Sequence, residues 1–166
     1  MTSNIPPVGA LADLLYQVFG AYSYPGRSFC AFCYTPDEWE EIARTPIRAL
    51  GMEASRKLLW ETADHWESAD VYRHYLPRLL EILAPPWRVE DLYPSHLSET
   101  LLALGFRRWN DGERNAVVDY LSALSSSVAG VVDEKDRMEW AAGLAALNGS
   151  DLALPGSLDQ AEDRDD

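Results

Sequence analysis

The strongest constraint on this chain is the spacing of its large apolar residues. Tyr72, Tyr75, Leu76, Leu79, Leu80 and Leu83 recur at intervals that line one face of an α-helix. Similar spacing appears in Leu11, Leu14, Leu15 and Val18, and in Leu58, Leu59 and Ala63. It returns in Leu97, Leu101 and Leu104, in Ala116, Val117, Tyr120, Leu121 and Leu124, and in Met138, Ala141, Ala142 and Leu144 or Leu147. The only strand-like run, Phe29 to Tyr34, is short. The pattern predicts an all-α fold: a compact bundle of about seven short helices. HEAT-like stacking of helices is the alternative, although no letter pattern repeats at a fixed period.

Local signals place the boundaries. A first helix is expected over 7–19, before Gly20. Thr35-Pro36-Asp37-Glu38 is a strong start, with Thr35 as cap, Pro36 in the first turn and Glu38 placed for a capping box. That helix should stop near Arg44, before Thr45-Pro46. A third helix is expected over 52–65. Ser68 or Asp70 opens the fourth, Pro77 should kink or split it, and Pro85-Pro86 ends it. A fifth runs over 95–104 and closes at Gly105. Asn110-Asp111-Gly112-Glu113 opens a sixth, which Ser125-Ser126-Ser127 frays, and a seventh spans 133–147 after the cap Asp133.

The chain has 166 residues, enough for one domain with its own core. Residues 1–147 read as that domain. Residues 148–166 carry Asp151, Asp159, Glu162, Asp163, Asp165 and Asp166 against Arg164, with Pro155 and Gly156 and no apolar period. They read as a disordered, solubilising acidic tail.

Charge narrows the function. Acids number 27 and basic residues 14, a formal charge of -13. Nucleic-acid binding needs clustered Lys and Arg. Here the lysines are Lys57 and Lys135 only, and Arg107-Arg108-Trp109 is the one short basic–aromatic cluster. Nucleic acid and anionic membranes are therefore excluded as expected partners. No apolar run approaches a membrane span, and no charged region precedes an apolar stretch near Met1. A cytoplasmic protein is expected, and two cysteines form no disulfide framework.

Cys30-Ala31-Phe32-Cys33 is the first candidate for chemistry. Two thiolates at this spacing can bind one zinc ion, but a structural site needs four ligands. His65, His74 and His96 are the histidines available to complete it. The pair could equally be a redox dithiol or two ordinary reduced thiols. The all-helical peroxidase-like proteins resembling alkylhydroperoxidase D place a His four residues after the second Cys, where this chain has Asp37. The second candidate is the face carrying Asp70, His74 and Arg78, at i, i+4 and i+8. His74 there is a candidate metal ligand or general base, and joins Cys30 and Cys33 as the candidate metal set. The other reading of that face is a polar stripe. Adjacent acids such as Glu40-Glu41 point in different directions on a helix. No phosphate-binding glycine loop, His-Glu-x-x-His helix or elbow serine is present.

The third feature is aromatic content, with six tryptophans and eight tyrosines. A small bundle cannot easily hide all of them. Exposed aromatics beside acids would form a hot spot for a basic partner. Trp66, Tyr72, Asp70 and Trp109 are the candidate partner-binding residues.

The order Cys30-x-x-Cys33, Trp66, Tyr72-Arg73-His74-Tyr75-Leu76-Pro77-Arg78, Arg108-Trp109 and Glu113-Arg114 resembles a family of uncharacterised bacterial proteins over roughly 11–124. The Arg-His-aromatic-Leu-Pro-Arg string is the most specific part. The resemblance implies a bacterial, cytoplasmic, helical protein and no particular activity.

The expected function is that of a non-enzymatic, protein-binding protein, for example the immunity partner or antagonist of a basic bacterial toxin. The alternative is a zinc- or thiol-dependent protein using Cys30 and Cys33. No cofactor is expected in the first case, and zinc in the second.

Overall fold

A computed structural model describes residues 7–23, 30, 32–84, 94–130 and 132–149. Among these residues there are seven α-helices and no strand. They are α1 (Val8–Val18), α2 (Pro36–Arg44), α3 (Met52–Leu59), α4 (Ala69–Glu81), α5 (Pro94–Ala103), α6 (Asp111–Val128) and α7 (Glu134–Leu147). One-turn 3-10 segments at Ile47–Ala49, Ala63–His65 and Phe106–Arg108 join some of them. None of the described helices is long and apolar enough to cross a membrane. The acidic segment read as a tail, beyond Gly149, and Pro85-Pro86 lie outside the described residues.

The helix starts follow the local signals. The Thr35 hydroxyl accepts from the Glu38 N–H, and the Glu38 carboxylate accepts from the Thr35 N–H at 2.8 Å. Ser68, Asn110 and Asp133 each accept the N–H three residues on. A cap of this kind stabilises by about 1 kcal/mol. Gly105 has φ 81°, and a Cβ there would stand 3.2 Å from the Arg108 guanidinium. Glycine suits that turn on both counts.

Helix α4 is the hub. It packs against α1, α3 and the Ile47–Ala49 turn. Tyr75, Leu76, Leu79 and Leu80 on it are at most 1% exposed. Pro77 does not split the helix as expected; α4 is continuous from Ala69 to Glu81. Proline costs about 3 kcal/mol in a helix interior, and the burial of four large side chains around it offsets that. The serines of α6 do not end it early either. Ser126 and Ser127 bond back to the carbonyls of Ser122 and Leu124, and the helix continues to Val128.

The tertiary order excludes HEAT-like stacking. In a solenoid each unit touches only its neighbours. Here α1 packs on α6, and α5 packs on α7, so the bundle closes on itself.

The aromatic residues mostly turn inward. Trp39 meets Tyr34 and Tyr75 edge-on at 5.8 and 6.1 Å, and Trp66 meets Tyr72 at 4.9 Å. Trp109 lies between Phe19 and Phe106 at 6.0 and 5.2 Å. Trp66, Tyr72 and Trp109, expected on a partner-binding surface, are thus core residues at 5% exposure or less. Their large apolar area is worth more inside than any surface contact in the free protein. Asp70 does reach the surface, paired with Arg73 at 3.0 Å.

Candidate metal centre

Helix α3 was expected to reach residue 65, but ends at Leu59. Thr62 takes an extended conformation and Ala63–His65 forms one 3-10 turn. This break positions Glu61 and His65 side by side, with His65 Nδ1 2.5 Å from Glu61 Oε2. The Glu61 side chain is 10% exposed.

Facing them is the turn that precedes α2. The Cys30 carbonyl accepts the N–H groups of Cys33 and Tyr34 at 3.1 and 3.3 Å. That tight turn folds Cys33 back, so the two sulfurs lie 3.0 Å apart. Both thiols are free and half-buried. Cys33 Sγ is 3.6 Å from His65 Nδ1, across 32 residues of sequence. One donor atom from each of Cys30, Cys33 and His65 fits within a 4.8 Å group.

The electrostatics are asymmetric. The Cys33 S–H donates to Cys30, which holds the Cys30 thiol below its ordinary range. The same bond, with burial and the Glu61 carboxylate, pushes Cys33 up to about 12. Donating a hydrogen bond to the Glu61 carboxylate raises His65. Burial, then the nearby Glu61 carboxylate, raises the Tyr34 hydroxyl. Lys57 lies over the Tyr34 ring at 4.3 Å. The turn is thereby docked on the end of α3 through Tyr34.

The donor set suits zinc. Two sulfurs on one tetrahedral zinc stand about 3.8 Å apart, and a sulfur and an imidazole nitrogen about 3.6 Å. The Cys33–His65 separation already matches, and the sulfur pair needs to open by less than an ångström.

His74, expected beside the cysteines, is elsewhere. Its Nδ1–H donates to the Tyr22 carbonyl at 2.8 Å, and its ring meets Tyr75 edge-on. The face shared by Asp70, His74 and Arg78 does not act together. Arg78 Nε donates to the Leu50 carbonyl at 3.0 Å, and its Nη1 to Glu81 at 2.7 Å. Tyr16 donates to the same carboxylate at 2.7 Å. Arg73 lies over the Trp109 ring at 4.3 Å, with Glu113 3.7 Å away. Glu113, 3% exposed, accepts the Tyr22 hydroxyl at 2.5 Å. These groups brace the chain after α1 and the turn before α3 against α4 and α6.

Sequence reasoning weighed His65 but settled on His74, and passed over Glu61. The available signal was the i, i+4 spacing of Glu61 and His65. No family model, curated protein or solved structure matches the chain.

Proposed function

We propose that this chain is a zinc-binding helical protein whose metal site contains Cys30, Cys33 and His65. The observation that carries the reading is the convergence of two sulfurs and one imidazole nitrogen, from segments distant in sequence, at spacings a tetrahedral ion accepts. Thiolates and imidazole are soft and borderline donors, which favour zinc over magnesium or calcium. The ion would fasten the turn before α2 to the junction of α3 and α4, a bracing role. A reducing cytoplasm, where both thiols stay available, is the fitting compartment. The buried contacts of Arg73, His74 and Arg78 support reading the Arg-His-aromatic-Leu-Pro-Arg string as a fold signature of the bacterial family it resembles. Elemental analysis of protein purified without chelator is the test. About one equivalent of zinc is expected, lost in Cys30→Ala and in His65→Ala. Substoichiometric metal, unchanged by either substitution, removes the reading.

A second reading keeps the protein as a non-enzymatic binder of a basic protein, such as an immunity partner of a toxin. It draws on the excess of 27 acids over 14 basic residues. It also draws on a cavity of about 390 Å³ between α2 and α3, lined by Glu38, Glu41 and Glu53 together with Lys57. An acidic recess of that kind suits an arginine or lysine side chain. Phe32, fully exposed between the two cysteines, and the part-exposed Trp60 offer apolar contact. Affinity capture at moderate salt, with mass spectrometry, tests this reading. A stoichiometric basic partner is expected; recovery of the protein alone would count against it.

A further inference from the structure

We propose that Glu61 is the fourth ligand of this centre, which makes it a site of two thiolates, one imidazole and one carboxylate. The inference rests on the zinc reading above and supplies the group that completes it. His65 turns one nitrogen, Nδ1, toward both Cys33 Sγ at 3.6 Å and Glu61 Oε2 at 2.5 Å. Its Nε2 lies 4.0 Å from the exposed Asp64. The nitrogen placed to ligate a metal is therefore the nitrogen that holds Glu61.

Proton and metal compete for that nitrogen's one lone pair. Once Nδ1 ligates zinc, it has no N–H to give Glu61. A carboxylate whose side chain is 10% exposed is then left without that donor, a costly state for a buried carboxylate. The cation that displaced the proton is the nearest replacement. A nitrogen and a carboxylate oxygen on one tetrahedral zinc are about 3.4 Å apart. Oε2 reaches that position by retreating less than an ångström from its 2.5 Å contact. The sulfurs must separate by a similar amount from 3.0 Å, and the Glu61 carboxylate, which lies outside the 4.8 Å group of the other three donors, must swing in toward them. Binding releases to solvent the protons carried by the two thiols and by Nδ1, and no electron moves. Three anionic ligands against one divalent ion give the loaded centre a single negative charge.

The test uses the full chain and two ions. Zn2+ affinity is measured by competition with a chromophoric chelator, and Co2+ loading reports the donor set through its thiolate-to-metal absorption. Glu61→Gln, which keeps volume and removes charge, should weaken Zn2+ binding roughly 100-fold or more. Glu61→Cys should bind Co2+ with a third thiolate's share added to that absorption. A supporting residue that never touched the metal would leave the two-thiolate absorption unchanged. That result in Glu61→Cys overturns the assignment of Glu61 and leaves the three-ligand reading standing. Failure of the wild-type chain to bind Zn2+ overturns both. Apo-protein helix content and melting, compared with wild type, show whether each variant is folded.

Discussion

At the scale of single residues, chemical individuality comes from what each group touches. Cys30 and Cys33 have the same side chain, yet one thiol is lowered and the other pushed up to about 12, because one accepts the proton the other donates. In metal-free protein at neutral pH, iodoacetamide should therefore modify Cys30 well before Cys33. Peptide mass mapping over time checks this, and equal rates would contradict the shared proton. The two histidines separate in the same way. His65→Gln should abolish zinc binding, whereas His74→Gln should leave zinc stoichiometry intact and cost about 1 kcal/mol through the lost bond to the Tyr22 carbonyl. Tyr22→Phe leaves the buried Glu113 carboxylate short of a donor. It should lower stability by about 2 kcal/mol in urea titration, and an unchanged midpoint would show that Glu113 does not depend on Tyr22.

At the scale of elements, the caps and stops were largely legible. Thr35, Asn110 and Asp133 cap as their local sequences suggest, because a cap involves groups only three residues apart. Failures of the local reading came where distant packing opposed it. Pro77 stays inside α4 because Tyr75, Leu76, Leu79 and Leu80 are sealed by other helices. The truncation of α3 at Leu59 was illegible because Glu61 and His65 turn toward cysteines that the local sequence does not contain. Leu76→Ala, in the middle of the hub helix, should cost about 2–5 kcal/mol. The same change at Leu14, 38% exposed on α1, should cost far less. Comparable losses in chemical denaturation would remove α4 from its central place.

At the scale of the whole molecule, the proposed ion would act as a cross-link between the N-terminal turn and the α3–α4 junction. Zinc held at 100 times its Kd would add about 2.7 kcal/mol of apparent stability. For a chain of this size that is a rise in Tm of roughly 5–10 °C. Calorimetry with zinc and with chelator reads it directly, and identical melts would show that nothing binds the folded state preferentially. Charge also acts at this scale. If the basic-partner reading holds, the association rate should fall as salt rises, since steering depends on unscreened net charge. A rate unchanged from low to high ionic strength would remove the steering.

The sequence by itself determined the helical class, most helix starts, the acidic balance and the Cys-x-x-Cys spacing. Each depends on neighbours within a turn or two, or on simple counts. Only the tertiary structure decided that α1 closes on α6 and that the aromatic residues Trp66, Tyr72 and Trp109 face inward. It also chose which histidine meets the cysteines. Those outcomes depend on which apolar faces exclude water together, and hydrophobic burial is non-directional. His65 and His74 look alike as letters. One lies beside a buried carboxylate at the broken end of a helix, and the other against a carbonyl 52 residues away.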